Sequence, residues 1–503
     1  PRKEKQPSGP GKKKLIKPPT NPLNLTNLTP FNMSHDIHFI LNDREVQTGN
    51  NPGLLVLDFL RQNEKLMGTK EGCREGDCGA CVVIIGELAN GQVSYKPVTS
   101  CMMPLGELHG KHLVTIEGLN LTELSPVQAA IVEEGATQCG FCTPAIVVSL
   151  TASLMEEGSE ISLDSVMRAL SGHLCRCTGY RSLIASENFL HESVGSNTGI
   201  GRLLEKGILP DYFKDISTRL NKIPPPSSPD GFTEQFFIAG GTDIYIQEGE
   251  IIPVSSVSIL NLYPEMKGIT RKNGQIHIGA LTTFEEFSSH PVISDIIPEI
   301  EDYMFLIASW QIRNRATVGG NIINASPIGD MTILLLAMDA QLVLQNGTGS
   351  RTVFLRSFYK GYKQLDRKDS EILSEILIPS PTPDTKIHFE KVSKRKCLDI
   401  ASVNLAVTVQ SIDGNIQEIG MAVGGVAPIP LYLQKTCKYL TGQPLSIETI
   451  EKVINLAQDE ISPISDIRGS QAYKRLLTRQ LLISTFAKLY PEQITLKAFY
   501  EAY

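Results

Sequence analysis

Eight of the ten cysteines lie between residues 73 and 177 and form two groups of four. The N-terminal residues lack the apolar segment of a secretion signal, so we do not expect an extracellular disulfide framework. Ligation of metal or redox centres is the better use for so many thiols in one region. This part of the chain must therefore fold as loops around two separate centres. The outlying Cys397 and Cys437 are predicted to be ordinary buried thiols.

The first group has the spacing C-x4-C-x2-C-x19-C, which is the plant-type pattern for a [2Fe–2S] cluster. Its predicted ligands are Cys73, Cys78, Cys81 and Cys101. Structural zinc usually uses paired C-x2-C knuckles, and only one such pair occurs here, so zinc is the less favoured alternative. Glycines 72, 76 and 79 permit a tight loop, because glycine tolerates positive φ and lets backbone N–H groups approach the cluster.

The residues around this loop predict a small mixed domain. Residues 37–47 read as two strands that meet at Asn42-Asp43, and residues 81–88 read as a third strand. Between them, residues 54–62 carry apolar side chains at helical spacing. A β-grasp, ferredoxin-like fold with one crossing helix fits this pattern.

The second group combines C-x2-C with a later C-x-C, and its predicted ligands are Cys139, Cys142, Cys175 and Cys177. Pro144 suits the first turn of a helix, and Ser162 with Asp164 can begin another. Each cysteine pair would then lie at a helix end, so we expect a helical bundle that clamps a cluster between its halves. C-x2-C with C-x-C is unusual for zinc, and the pattern becomes specific for iron–sulfur ligation after a plant-type quartet.

Length, composition and charge limit the number of domains and the partners of the chain. The 503 residues predict about three domains, and the net charge of −7 with pI near 5.8 gives no basic field for nucleic acid. No apolar run reaches the length of a membrane helix, so we expect a soluble, cytoplasmic protein without a membrane or nucleic-acid partner. The Pro- and Lys-rich residues 1–32 read as disordered, and Met33 is a candidate natural start.

The two quartets in this order resemble the iron–sulfur domains of the xanthine dehydrogenase and aldehyde oxidase family of molybdenum hydroxylases. The resemblance implies two [2Fe–2S] clusters, with the helical domain's cluster nearer a molybdopterin cofactor. It also implies that Gln138 and Cys177 lie beside the pterin of a molybdenum-bearing partner.

A second unit begins after the Pro/Ser-rich stretch 221–231. The strand-like residues 234–247 turn at Gly240-Gly241, and a second glycine pair, Gly319-Gly320, lies in the loop at residues 315–331. Backbone N–H groups and short polar side chains of this second loop are expected to line a diphosphate. Neither loop is the G-x-G-x-x-G fingerprint, so a Rossmann fold is not predicted.

Both loops resemble the FAD-binding domain of the same family, and the resemblance carries a set of residues over. Tyr362 resembles the aromatic residue that covers the nicotinamide side of the flavin in NAD-using members, and Ile307 stands where some members place phenylalanine against the ring. The FAD positions implied by the resemblance are Ile238, Ala239, Gly240, Gly241, Thr242, Asp243, Ile244, Thr317, Gly319, Gly320, Asn321, Ser326, Asp330, Ile372, Leu373 and Lys391.

The predicted fold class is α+β and multidomain. A β-grasp [2Fe–2S] domain precedes a helical-bundle [2Fe–2S] domain, an α+β FAD-binding domain of the molybdenum hydroxylase type and a C-terminal α/β cap. The predicted segments are a disordered extension 1–32, the ferredoxin-like domain 33–112, the helical domain 113–194, a linker 195–231, the FAD-binding domain 232–385 and the C-terminal subdomain 386–503.

The resemblance implies an oxidoreductase of xanthine dehydrogenase type in purine metabolism. Two [2Fe–2S] clusters and FAD would pass electrons from molybdopterin, held by a separate large subunit in a heterotetramer or larger complex, to NAD. No catalytic residue is assigned with certainty to this chain, and Tyr362 is the candidate on the NAD side. The alternatives are a stand-alone NADH-dependent reductase, the small subunit of an aldehyde- or CO-oxidising relative, and a non-enzymatic zinc scaffold. The absence of a cysteine group in residues 232–396 argues against an acyl-CoA reductase.

Overall fold

The computed structural model describes residues 36–225, 236–346 and 349–501. The predicted disordered extension 1–32 lies outside these ranges. In the described parts of the chain, no helix combines the length and apolarity that crossing a bilayer requires. The chain folds into four units, which follow one another along the sequence.

The first unit is the β-grasp domain. Its five-stranded sheet has the order β2-β1-β5-β3-β4, with β1 and β5 parallel and the other pairs antiparallel. One helical turn, extended by a π-helix at Phe59–Asn63, crosses this sheet as predicted. The elements are β1 (Ile37–Leu41), β2 (Arg44–Thr48), α1 (Val56–Asp58), β3 (Val82–Ala89), β4 (Gln92–Thr99) and β5 (His112–Val114).

The second unit is a four-helix domain built around α3, in which every residue from Ala145 to Met155 is buried. Ser162 caps α4 through a capping box with Ser165, and Pro144 lies in the first turn of α3, as the sequence predicted. The helices are α2 (Pro126–Glu133), α3 (Thr143–Met155), α4 (Leu163–Leu170) and α5 (Arg181–Val194).

The predicted linker is more ordered than a connector. Residues 195–225 contain two further helices, α6 (Ile200–Glu205) and α7 (Ile216–Leu220). Phe213 packs its ring 5.5 Å from that of Tyr95, and Arg219 lies 3.0 Å from the Asp43 carboxylate. The α7 part of this segment packs its apolar side chains on the β-grasp domain, whereas the α6 part buries its own in the core of the helical domain. The remainder of the predicted linker, residues 226–231, lies outside the described residues.

The third unit, called the middle domain below, holds both glycine-pair loops. A five-stranded antiparallel sheet of order β11-β10-β14-β9-β8 packs against short helices. Two small two-stranded pairs, β6-β7 and β12-β13, complete it. The strands are β6 (Phe236–Ile238), β7 (Val257–Ile259), β8 (Ile269–Lys272), β9 (Gln275–Gly279), β10 (Gln341–Asn346), β11 (Gly349–Phe354), β12 (Tyr359–Gly361), β13 (Gln364–Leu365) and β14 (Ile372–Pro379).

The helices of the middle domain are short and connect these strands. Residues 244–247 read as strand in the sequence. In the structure they form the helix α8, which follows the turn at Gly240-Gly241. The helices are α8 (Ile244–Glu248), α9 (Phe284–Ser288), α10 (Pro291–Ile296), α11 (Ile300–Phe305), α12 (Trp310–Arg313), α13 (Val318–Asn324) and α14 (Asp330–Ala337).

The fourth unit is the C-terminal domain, in which a four-stranded antiparallel sheet packs on helices. The predicted α/β cap is present here, with its strands before its helices. The elements are β15 (Thr385–Val392), β16 (Val403–Ile412), β17 (Asn415–Gly424), β18 (Leu431–Tyr432), α15 (Gln434–Leu440), α16 (Ile447–Glu460), α17 (Gln471–Leu489) and α18 (Leu496–Glu501).

The β-grasp and helical domains meet where two glycines approach closely. A Cβ on Gly79 would lie 2.3 Å from the carbonyl oxygen of Gly172, and Gly79 has φ of +67°. Leu174 donates its backbone N–H to the Cys78 carbonyl across the same contact, at 3.1 Å. Any side chain at Gly79 would therefore both strain the backbone and separate the domains.

We predict that Gly79→Ala destabilises the protein more than Gly91→Ala, which serves as a matched control. Gly91 also has positive φ, but a Cβ there meets no atom within 4 Å. The control should lose about 1 kcal/mol from backbone strain, and Gly79→Ala about 3 kcal/mol because the interface must also open. Thermal unfolding of both variants measures the difference, and equal losses would contradict the close-contact explanation.

Candidate functional site: two cysteine centres and a pair of glycine loops

The first predicted quartet converges in the β-grasp domain. Cys73 and Cys78 lie on the loop between α1 and β3, Cys81 directly precedes β3, and Cys101 follows β4. Cys81 and Cys101 are buried, whereas Cys73 and Cys78 are half-buried. The loop therefore brings four thiols from separate positions around one volume at the end of the sheet.

Within this quartet the thiols associate in two pairs. The hydrogen bond with Cys78, helped by backbone N–H groups that include Glu75, lowers the pKa of Cys73 to about 5. Cys81 and Cys101 form the second pair, and their mutual hydrogen bond lowers the pKa of Cys81 and raises that of Cys101. Thiolates are the form that ligates iron.

The second quartet lies at helix ends in the helical domain, as predicted. Cys142 is the N-cap residue of α3, and the Cys175 and Cys177 pair follows α4. The Sγ atoms of Cys139 and Cys177 are 3.5 Å apart, and Cys142 interacts with Cys175. Cys139 and Cys177 are exposed, whereas Cys175 is buried. This centre reaches the protein surface on one side.

Gln138 lies next to the exposed side of this centre. Its Nε2 donates to the Cys177 carbonyl oxygen at 3.2 Å, and it is itself exposed. Phe141 and Leu174 are exposed on the same loops, at 48% and 59%. The helical domain thus presents two thiols, two apolar side chains and an amide on one surface.

The residues present fit [2Fe–2S] clusters better than single metal ions. Among the described residues, no group of three or more ligand side chains is arranged to hold one ion. Two thiol pairs per quartet match the need of a binuclear cluster, in which each iron takes two cysteines. Glycine also lines the first centre, because a Cβ on Gly72 would lie 2.7 Å from the Cys78 sulfur. Each centre therefore has the donor set and the space for a cluster.

The two centres are joined through backbone. The Cys78 carbonyl accepts the Leu174 N–H, and Leu174 directly precedes Cys175. A ligand of one centre is thus one hydrogen bond and one peptide unit from a ligand of the other.

The first glycine-pair loop joins β6 to α8 and packs against the β-grasp domain. Gly241 has φ of +78°, and a Cβ there would lie 2.3 Å from the carbonyl oxygen of Met102, the residue after Cys101. Among the described residues, no acceptor pairs with the backbone N–H of Gly241, Thr242 or Asp243. This loop therefore offers free N–H groups immediately beside the first cysteine centre. Such groups can donate hydrogen bonds to a diphosphate.

In the second glycine-pair loop, the N–H groups of the two glycines bond within the protein. The expectation that Gly319 and Gly320 present free N–H groups is wrong, because Gly319 donates to the Ala280 carbonyl at 2.8 Å and Gly320 to Thr317 Oγ1 at 3.0 Å. Both residues lie in the first turn of α13, which Thr317 caps. Gly319 is required for close packing, since a Cβ there would lie 2.7 Å from the Ala280 oxygen.

Side-chain donors remain on the second loop. Asn321 Oδ1 accepts from the Thr332 hydroxyl and N–H, and no acceptor in the described chain takes its Nδ2. Ser326 Oγ accepts from Ile328 N, which leaves its hydroxyl proton to donate. These groups stand among the implied FAD positions and supply polar contacts of the kind that FAD needs.

The other implied FAD positions surround the same region. Lys391 is buried and binds both the Asp330 carboxylate at 2.9 Å and the Leu306 carbonyl at 2.8 Å. Ile307, which follows Leu306, is also buried. Ile372 and Leu373 begin β14 and are buried in the core of the middle domain. Lys391 is therefore a buried ion-pair partner and not a surface lysine.

Tyr362 lies at the tip of the β12–β13 hairpin and is 63% exposed. The base of this hairpin is fixed by Tyr359, whose hydroxyl donates to the Ile322 carbonyl on α13 at 3.0 Å. Tyr362 is thus anchored on the helix that begins at the second glycine pair, with its ring free to meet a molecule from solvent.

Burial around Asp243 alters its ionisation. Desolvation raises the pKa of the Asp243 carboxyl, and the Lys363 ammonium and a hydrogen bond from Asn324 oppose this rise. The carboxylate therefore sits in a polar group formed by the first loop, the end of α13 and the hairpin.

Sequence reasoning missed one residue that joins the loops to the clusters. Arg315 donates to the Gly240 carbonyl at 2.7 Å and pairs with Glu107 of the β-grasp domain at 3.0 Å. Desolvation raises the pKa of Glu107, but Arg315 and Lys111 outweigh it and lower that pKa to about 2. No local pattern signals a contact between residues this far apart in the chain.

Four family models cover most of the chain in one order. They are the "2Fe-2S iron-sulfur cluster binding domain" at residues 39–105, the "[2Fe-2S] binding domain" at 115–187, the "FAD binding domain in molybdopterin dehydrogenase" at 233–381 and the "CO dehydrogenase flavoprotein C-terminal domain" at 388–489. The chain belongs to the molybdenum hydroxylase family. Its domains are therefore the two [2Fe–2S] modules and the FAD module of such an enzyme.

Curated molybdenum hydroxylases are similar over nearly the whole chain. A xanthine dehydrogenase of Drosophila subobscura is 28% identical over 89% of this chain, and aldehyde oxidase 2 of Mus musculus is 28% identical over 92%. The chain spans 39% of the length of each relative. Carbon monoxide dehydrogenase from Hydrogenophaga pseudoflava matches at 28% identity with a TM-score of 0.47, over 49% of this chain and 86% of that chain.

We predict that Cys175→Ala halves the iron bound per chain, because one of two clusters is lost. Cys397→Ala is the control, since Cys397 is half-buried and contacts the Ser171 carbonyl rather than another cysteine. Iron analysis and the visible absorption of the purified proteins measure the outcome. Full iron content in Cys175→Ala, or an equal loss in the control, would contradict the assignment of the second quartet.

Proposed function

We propose that the chain is the electron-transfer part of a molybdenum-dependent hydroxylase of xanthine dehydrogenase type, which takes electrons from a partner's molybdopterin and delivers them to NAD. When bound, the clusters supply one-electron transfer and FAD supplies the exchange between single electrons and a hydride. The supporting observation is the linear order of the sites in the folded chain.

That order is built from direct contacts between protein groups. The exposed Cys139 and Cys177 lie at one end, and the Leu174 to Cys78 hydrogen bond leads to the first quartet. Met102, which follows Cys101, touches the first flavin loop at Gly241. Each predicted cofactor site thus adjoins the next through backbone, which keeps the separations short and fixed.

A partner at the exposed end is supported by the surface around it. Cluster ligands that are open to solvent, flanked by Phe141 and Leu174, suit burial by another protein domain, because exposed apolar side chains gather at interaction sites. We propose that a molybdopterin-binding large subunit covers this surface, in a heterotetramer or larger complex. Its pterin would then lie beside Gln138 and Cys177.

The delivery end is supported by Tyr362. An exposed aromatic ring on an anchored hairpin, next to the flavin loops, suits stacking on a flat heterocycle such as nicotinamide. We propose NAD as the acceptor on this basis. A stand-alone NADH-dependent reductase would use the same end, but it would leave the exposed cysteine surface without a function.

The substrate class of the partner is proposed from relatives rather than from this chain. Xanthine dehydrogenase and aldehyde oxidase relatives are equally similar, at 28% identity. We place xanthine first because Tyr362 resembles the aromatic residue that covers the nicotinamide side of the flavin in NAD-using members of the family. Turnover of purines and of aldehydes by the native complex decides between them.

Replacing Cys139 or Cys175 by serine should stop reduction of the flavin by substrate in the native complex, while reduction of a dye by NADH stays close to the wild-type rate. The reason is that these ligands belong to the quartet at the exposed end, through which electrons would reach the first quartet, and the flavin loops do not depend on them. Stopped-flow absorbance with each reductant separates the two half-reactions. Unchanged substrate turnover would refute the electron path, and loss of both activities would show that the flavin end depends on this quartet.

A further inference from the structure

The two flavin loops and the Tyr362 hairpin meet at one side chain, Asn324. This residue ends α13, the helix that begins at the second glycine pair, and the backbone turns left-handed at Ala325. Asn324 belongs to none of the implied FAD positions. Its amide has two acceptor sites and two donors, so it can join several segments at once.

Three segments use this amide. Gln247 Nε2, on the helix after the first loop, donates to Asn324 Oδ1 at 3.1 Å. Lys363 Nζ, next to Tyr362 on the hairpin, donates to the same oxygen at 2.7 Å and also to the Asn324 backbone carbonyl. Asn324 also acts on the first loop, because a hydrogen-bonding interaction of its side chain with the Asp243 carboxyl works to lower the pKa of that carboxyl.

Charge reinforces this arrangement. Lys363 attracts the half-buried Asp243 carboxylate and so opposes the rise in its pKa that desolvation causes. Lys363 has φ of +56°, so the hairpin holds a left-handed conformation that places its side chain over Asn324. Lysine seldom adopts this backbone conformation without compensating contacts, and its two hydrogen bonds to Asn324 provide them.

We propose that Asn324, Lys363 and Asp243 form a polar clasp that fixes the spacing of the two flavin loops and thereby holds FAD in place. The clasp rests on the proposed function, because it assumes that FAD occupies the two loops. Asn324 and Lys363 do not need to touch the flavin: they are positioning residues that act through the first loop and the hairpin. The clasp also links Tyr362 to the cofactor site, so its opening would disturb both.

The test uses the full chain with bound clusters and compares Lys363→Met with Lys360→Met. Methionine keeps most of the length of the side chain and removes the charge and the donors. Lys360 lies on the same hairpin, 3.1 Å from Asp366, and is 54% exposed, so its substitution controls for a changed hairpin surface. We expect Lys363→Met to raise the FAD dissociation constant about fivefold to tenfold and Lys360→Met to leave it within about twofold.

A second variant separates the donor from the acceptor role of the amide. Asn324→Asp keeps an oxygen for Lys363 but replaces the donor to Asp243 with a second carboxylate, so we expect FAD to dissociate faster than from wild type by at least about tenfold. Raising the salt concentration should shrink the difference between Lys363→Met and wild type, because part of the Lys363 to Asp243 attraction is screened.

The readouts are FAD affinity by fluorescence titration of FAD-free protein, the FAD release rate, iron content, and thermal unfolding of the FAD-free form. The clasp predicts a change in FAD affinity and release with unchanged iron content and unchanged FAD-free stability. The clasp would be overturned if Lys363→Met and Lys360→Met bound FAD with equal affinity. It would also be overturned if Lys363→Met lowered the stability of the FAD-free protein by as much free energy as it weakens FAD binding. A wild-type chain that binds clusters but no FAD would instead overturn the proposed function.

Discussion

The buried pair of Arg315 and Glu107 is the contact on which the relative placement of the sites depends. Both side chains are almost fully buried, and Arg315 also binds the Gly240 carbonyl of the first flavin loop. Removal of one partner would leave the other charge buried and unpaired, which typically costs about 3–5 kcal/mol. The neighbouring Asn314 and Gln311 extend this anchoring, since they bind carbonyls of the β-grasp and helical domains. One short segment thus holds three domains.

The sites themselves approach each other through backbone rather than side chains. Gly79 against Gly172, and Gly241 against Met102, are contacts that any Cβ would prevent. Such contacts leave no rotamers to adjust, so the separations between centres stay fixed when side chains move. Electron transfer between bound cofactors benefits from fixed separations, whereas the exposed hairpin at Tyr362 can adapt to a molecule from solvent. The rigid contacts between the sites and the solvent-exposed approach to Tyr362 therefore lie in different parts of the chain.

Local sequence patterns predicted the secondary-structure elements and the cysteine quartets, but they did not predict the long-range contacts. Cysteine spacing identified both quartets, because ligands of one loop must recur at short intervals, and Ser162 identified the start of α4 because a cap acts within one turn. The Arg315 to Glu107 pair joins residues 208 apart, and no periodicity marks such a contact. The Pro/Ser-rich end of the predicted linker is typical of a connector, but the apolar side chains that precede it belong to two helices. The sequence thus predicted the two cysteine quartets but not the Arg315 to Glu107 contact that aligns the domains.

The two glycine pairs show why a motif and its mechanism must be separated. The second loop reads as one that presents N–H groups to a diphosphate, yet Gly319 and Gly320 have already given theirs to protein acceptors. Glycine is needed at position 319 because the helix start packs against Ala280, which is a steric reason rather than a ligand reason. In the described part of the chain, the Gly241 N–H of the first loop has no acceptor. A diphosphate would therefore be held by backbone on one side and by side chains such as Asn321 on the other, an asymmetry that makes the fixed spacing of the two loops a condition for binding.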